Sequence, residues 1–235
     1  MECYNPDIAK QRIRNLFLKT LKKLDQNDID DLYILDLGDL IAGRIHLNIR
    51  LNSRIDVITQ TIEISELLAE FIAKFSSNGI KVHYMNCMDN HSRIEPRKSD
   101  SLDLESLCRI TPWFLKERLK GSNVEFIENN VSKNIITFDL LGHKNCAVHG
   151  HQDNLNRVVE SLSLMVKENF DLILTAHYHH FSGDERNETM VLSNGSLMGT
   201  DQYAEDLRLS SKPSQNLIIV TEDNVVDDIC RILVR

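Results

Sequence analysis

The sequence predicts an α/β layered domain. Short apolar runs alternate with segments of helical periodicity over most of the chain, and the final stretch turns to runs that read as antiparallel strands. The composition is that of an ordinary globular chain, 42% hydrophobic and 26% charged. The 235 residues bury enough surface to need neither a disulfide nor a structural metal. No repeat or linker interrupts them, so a single domain over residues 1–235 is expected.

Asn5-Pro6-Asp7 opens the first helix with a capping side chain, a proline at the first helical position and an acid in the first turn. Ile8, Ile13, Leu16, Phe17, Leu21 and Leu24 follow at helical spacing. Residues 32–35 read as a buried strand running into Gly38-Asp39. A long helix over 55–75 carries Ile58, Ile62, Leu67, Leu68, Phe71, Ile72 and Phe75 on its apolar side and stops at Gly79. A strand over 80–85 leads into a polar loop, 86–98. Thr111-Pro112 opens a helix to Leu119, in which Trp113-Phe114-Leu115 reads as core packing. Strands are expected over 124–127, 135–140 and 146–149, a helix over 155–166, and a strand over 171–175. In the tail, strands over 189–192, 217–221 and 225–233 are expected, the last two joined in a hairpin by Glu222-Asp223-Asn224.

The net charge of −8 argues against a whole-surface electrostatic grip on nucleic acid and leaves room for a local basic patch. The acidic balance suits carboxylates that bind cations. Cys3, Cys87, Cys108, Cys146 and Cys230 are odd in number and include no CxxC pair, which reads as reduced thiols of a cytoplasmic protein. No apolar run approaches about 18 residues. The opening MECYNPDIAK has no signal-peptide pattern, so no membrane partner is expected.

The chemistry collects at strand ends, where α/β sheets place their sites. One strand ends at Gly38-Asp39 and another leads to Asn90-His91. Later strands end at His149-Gly150-His151 and at His177-Tyr178-His179-His180. Six of the nine histidines fall between positions 143 and 180. Carboxylate, amide oxygen and imidazole together suit Mn²⁺, Fe²⁺ or Zn²⁺ better than Ca²⁺ or an all-thiolate site. A carboxylate that bridges two cations would let them clamp a phosphoryl group and activate a water.

These residues resemble the calcineurin-like metallophosphoesterases, whose blocks run D-x-H, G-D, G-N-H, H and G-H-x-H. Gly38-Asp39 is similar to the second block, Asp89-Asn90-His91 to the third, His149 to the fourth and Ala176-His177-Tyr178-His179 to the fifth. The stretch from Ser193-Asn194-Gly195-Ser196-Leu197 through Pro213-Ser214-Gln215 resembles phage and prophage members described as DNA-repair exonuclease-like, related to the Mre11 and SbcD nucleases.

The resemblance implies a sandwich of two mixed β-sheets flanked by helices. It implies a metal-dependent phosphoester hydrolase acting through metal-activated water, with DNA as the first substrate and a phosphodiesterase or nuclease activity. A phosphatase acting on small molecules or proteins is the alternative enzyme.

Carried over, Asp39 bridges two metals, Asn90, His149 and His177 complete metal two, and His179 belongs to metal one. His91 meets the substrate. Apart from the resemblance, Arg93, Arg97 and Lys98 follow the third block and are candidates to hold phosphate, Arg93 first, with an ordinary charged loop as the alternative. Two divalent ions are implied, manganese first, with iron or zinc as alternatives. Asp89 and Ala176 stand where the family has glycine.

The D-x-H block is not seen, and no strand precedes the Asn5 helix to carry it. The expectations that follow are an incomplete metal one, an exposed sheet edge near Leu32–Leu35 open to self-association, and, as a contrasting reading, a non-catalytic nucleic-acid- or protein-binding module. His46 and Arg44 read as solvated, His143 and His180 as surface residues, His151 as second to His149, and Asp36 as a strand-end polar residue.

Overall fold

The computed structural model describes residues 4–200, 208 and 210–234; Cys3 and residues 201–207 and 209 of the tail stretch lie outside the described residues. The fold is α/β, with mixed strands flanked by helices, and it divides into two compact units, residues 21–128 and residues 1–20 with 129–235.

In unit 21–128 the strands β1 (Asp31–Asp36), β2 (Lys81–Asn86) and β3 (Val124–Phe126) form a parallel sheet in the order β1-β2-β3. Parallel neighbours require crossovers. The first contains α2 (Leu47–Asn52) and α3 (Val57–Ser77), and the second contains α4 (Ile110–Arg118). The central strand is buried, as parallel strands covered on both faces are, with Val82, Tyr84 and Met85 almost wholly out of water. His83 on the same strand stacks on Tyr33 at 4.2 Å and sits between Asp31 (2.8 Å) and Glu125 (3.2 Å).

Asp56 caps α3, its Oδ1 accepting from the N–H groups of Ile58 (2.9 Å) and Thr59 (3.0 Å). The inward face of α3 is the expected one at Leu67, Phe71, Ile72 and Phe75, all buried, and differs in the first turns. Ile58 and Ile62 are 54% and 58% exposed, and Thr61 and Ser65 are buried in their place. The Ser65 and Thr111 hydroxyls meet at 2.9 Å, so a hydrogen bond joins α3 to α4. Trp113 is also corrected, being 63% exposed. A helix turns inward every third or fourth residue, and α4 with its following residue spends that face on Thr111, Leu115 and Leu119, all buried.

In the other unit, α1 (Pro6–Gln26) begins on Asn5, whose Oδ1 accepts from the N–H groups of Asp7 (3.0 Å) and Ile8 (3.1 Å); the helix continues past Thr20 into unit 21–128. Strands β4 (Ile135–Leu140), β5 (His143–Val148), β6 (Leu172–Thr175), β7 (Ser182–Arg186) and β8 (Thr189–Ser193) form a mixed sheet ordered β4-β5-β6-β8-β7. β5, β6 and β8 run parallel. Helix α5 (Val158–Val166) packs Val158, Val159 and Leu162 on Cys146, Val148, Ile173 and Val191 of that sheet. A separate antiparallel pair, β9 (Ser214–Ile219) and β10 (Asp228–Leu233), closes the chain. Among the described residues no helix is long and apolar enough to cross a membrane.

Candidate metal-binding residues

Each unit places its share of the predicted residues just beyond the carboxyl ends of parallel strands. In unit 21–128, Asp39 follows β1 and Asp89-Asn90-His91 follows β2. Asp36, at the end of β1, is a turn-former: its Oδ1 accepts from the Gly38 N–H (3.0 Å) and its Oδ2 from the Tyr84 hydroxyl (2.7 Å). The chain then enters the left-handed region at Asp39, φ 54°. The Asp39 Oδ1 accepts from the backbone N–H of His91 at 3.3 Å, which joins the second and third motif blocks.

Asp89 does not need the glycine conformation of the family pattern. It is absent from the positive-φ residues, and its buried carboxylate accepts from the Ser92 N–H (2.6 Å) and Ser92 hydroxyl (2.8 Å). That closes the turn presenting Asn90 and His91.

The His91 ring is oriented by one bond. Its Nδ1 lies 2.8 Å from the Ala42 carbonyl oxygen. A carbonyl only accepts, so Nδ1 carries the proton and Nε2 is left for chemistry. The His46 ring centroid lies 5.5 Å from that of His91. Burial lowers the His46 pKa, the neighbouring His91 and Arg93 lower it further, and Asp39 opposes them. Arg93 is half-buried and pinned through a backbone bridge to Ser106; its Nε is buried without a hydrogen-bond partner among the described residues.

In the other unit the donors are rings packed on rings. His149 follows β5 directly and is only 2% exposed. Its centroid lies 5.0 Å from that of His177 and 5.3 Å from that of His151, with His151 and His177 6.3 Å apart. His151, second to His149 on sequence grounds, shares one cluster with it. Gly150, φ 108°, permits this packing: a Cβ there would lie 3.3 Å from the Ala176 carbonyl and 3.5 Å from the His177 Cβ. Tyr178 locks the turn, its hydroxyl donating to the Asp153 carbonyl at 2.6 Å. Burial raises the Asp153 carboxyl pKa, with His149 pulling it back.

His177 and His179 both adopt left-handed backbone, φ 61° and 60°, whereas Ala176 before them does not. His180 is exposed and bonds the Tyr178 carbonyl through Nδ1 (2.9 Å); His143 bonds the Thr221 carbonyl through Nε2 (2.9 Å).

No described protein family matches the chain. It is 26% identical over 227 residues, 92% of its length, to the SPbeta prophage-derived uncharacterized protein YonJ of Bacillus subtilis strain 168, and it spans 55% of that protein. Among solved structures, a novel archaeal phosphodiesterase is similar over 94% of this chain and 92% of its own, at 13% identity and a TM-score of 0.49. Vps29 of Entamoeba histolytica complexed with zinc is similar over 87% of this chain and 99% of its own, at 14% identity and a TM-score of 0.39. A predicted phosphoesterase of Streptococcus pneumoniae TIGR4 is similar over 71% of this chain and 90% of its own, at 13% identity and a TM-score of 0.34.

Proposed function

We propose that this chain is a metal-dependent phosphoester hydrolase of the calcineurin-like type, acting on DNA as a phosphodiesterase or nuclease. The observation that carries the reading is backbone strain at the donors. A non-glycine residue at positive φ is uncommon, costs of order 1–3 kcal/mol, and persists only where its surroundings enforce it. Asp28, Leu141, Lys167, Asn187 and Glu188 adopt it at helix ends or hairpin turns, where it has an ordinary cause, and Arg208 adopts it in the stretch before β9. Asp39, His177 and His179 adopt it beyond strand ends, and all three are motif positions.

The donor set fits a borderline cation. Asp39, His149 and His177 are the proposed ligand group, with Asn90 as a fourth ligand, and His179 with Asp39 serves a second position. We favour manganese, with iron or zinc as alternatives. A cation held there supplies Lewis-acid polarisation and water activation. His91 acts at Nε2, because Ala42 fixes the proton on Nδ1; in its charged form it hands that Nε2 proton to the leaving oxygen. Arg93 steadies a phosphoryl oxygen by charge-assisted hydrogen bonding. The free thiols Cys87, Cys108, Cys146 and Cys230 support a cytoplasmic setting, and the likeness to a prophage-derived protein supports a phage-type origin.

The test is metal content by mass spectrometry together with hydrolysis of bis(p-nitrophenyl) phosphate and of labelled DNA in Mn²⁺, Fe²⁺ and Zn²⁺. Bound metal and cleavage of both substrates, each lost in His177→Ala, are expected. A protein that binds none of the three ions and cleaves neither substrate overturns the reading.

A further inference from the structure

Residues 40–55 contain no Asp or Glu and carry Arg44, Arg50 and Arg54, in a chain whose net charge is −8. Their helix, α2, buries none of its residues. Leu47 and Leu51, one turn apart on the same face, are 63% and 72% exposed. A short helix that covers no core is not held by hydrophobic packing.

It is held at its stem instead. The Gln60 side chain of α3 accepts from the Ala42 N–H (2.9 Å) through Oε1 and donates to the Ser53 hydroxyl and the Ile55 carbonyl (both 3.0 Å) through Nε2. One amide therefore closes the loop at both ends. The same Ala42 orients His91 through its carbonyl. Gly43 lies so close to the His91 backbone that a Cβ would meet the His91 carbonyl oxygen at 2.0 Å. His46, which precedes α2, continues the contact with its ring. The segment thus starts at the residue proposed to meet substrate and leads away from it carrying positive charge and exposed leucines.

We propose that this stapled segment, residues 42–55, is a docking surface for a nucleic-acid strand: Arg50 and Arg54 track the phosphates, and Leu47 and Leu51 lie against base faces. The proposal rests on the hydrolase reading for its place beside the site, and its occupant is argued from charge and shape. Arginines alone would fit any phosphate, but leucine pairs beside them fit a ligand that alternates phosphate with apolar faces. A small phosphomonoester offers nothing to α2.

The probe is a fluorescein-labelled single-stranded oligonucleotide, read by anisotropy from low to high salt. Arg50→Gln with Arg54→Gln is expected to lower the slope of log K against log salt by about 1.4, at roughly 0.7 per lost phosphate contact on single strands. Leu47→Ala with Leu51→Ala is expected to weaken binding roughly 10-fold with the slope unchanged. Leu164→Ala on α5, 78% exposed, should change neither.

All of these side chains are exposed, and circular dichroism checks that the variants fold. Unchanged affinity and slope in both double variants overturn the proposal, even where wild-type protein cleaves bis(p-nitrophenyl) phosphate and the hydrolase reading stands. The converse, no diester cleavage with variant-sensitive oligonucleotide binding, sinks the hydrolase reading and keeps the surface. Binding to phosphatidylserine vesicles that both double variants abolish, with oligonucleotide binding intact, assigns the surface to lipid and also overturns the proposal.

Discussion

The two groups of candidate residues are held in place by different forces. His149, His151 and His177 are ring packed on ring, with His149 almost wholly buried. Asp39, Asn90 and His91 sit on loops fixed by individual hydrogen bonds to Asp36, Asp89 and Ala42. Close-packed rings have few alternative rotamers, so the first group is set before any cation arrives. A hydrogen-bonded loop is adjustable, and a single bond of that kind contributes about 1 kcal/mol. Under the proposed hydrolase reading, metal affinity then rests mainly on the packed histidines and turnover mainly on the bonded loop.

Removing one residue from each group separates the two forces. His149→Ala should strip the metal, losing more affinity than the roughly 10–100-fold that loss of an outer partner costs. His91→Ala should keep its metal and lose about 10²–10⁴-fold in turnover, the usual contribution of a positioned proton donor. Metal titration beside steady-state kinetics reads both. Equal loss of metal in the two variants would make His91 a ligand and erase the distinction.

A smaller effect is expected at Tyr178. Tyr178→Phe deletes the bond to the Asp153 carbonyl while keeping the ring that lies 5.6 Å from His177. Metal affinity should fall about 10-fold and stability by about 1 kcal/mol, with turnover at saturating metal retained. A fall in turnover under saturation would show that the packed group also sets reaction geometry.

The smallest effect concerns Asp56, which caps α3 in the hydrogen-bonded unit. The Thr59 hydroxyl, then the backbone N–H groups of Thr59 and Ile58, hold its pKa below the usual carboxylate value. The folded state therefore favours the ionised form. Its stabilisation is complete at neutral pH, above the unfolded pKa, and fades as pH falls through the lowered folded value. Thermal melts of Asp56→Ala against wild type should differ at pH 7 and converge in acid. A gap independent of pH would mean that the cap acts without its charge.

The chain's order of elements was readable because most strands and helices carry their periodicity openly. Asn5, Asp56 and Gly79 mark helix ends by local chemistry, and the motif donors sit at strand ends where the alternation places them. What the sequence conceals depends on turns and partners that no periodicity encodes. Residues 47–52 alternate apolar and polar like a strand, yet form α2 on a loop whose stem Gln60 ties. Ser182–Arg186 has no apolar residue, yet forms β7, because the Asn187-Glu188 turn (φ 51° and 65°) folds it onto β8. Hydrophobicity alone draws Ile58 and Ile62 to the core, whereas α3 buries Leu67, Phe71, Ile72 and Phe75 and turns Thr61 and Ser65 inward with them. His151 joins the ring cluster through the turn at Gly150, whose backbone angle no spacing rule reveals.

The left-handed backbone at Asp39, His177 and His179 also bears on how this protein tolerates change. Glycine relieves such a conformation and carries no donor atom. At Asp39 and His179, which lie outside the packed ring cluster, a substitution to glycine should raise the amount of folded protein and weaken metal binding together, whereas at His177 the lost ring packing offsets the relief. At a position selected for packing, the two quantities fall in step. A survey of single substitutions scored separately for cellular abundance and for hydrolysis would therefore show Asp39 and His179 as points of opposite sign, so that residues kept for chemistry could be told from residues kept for folding.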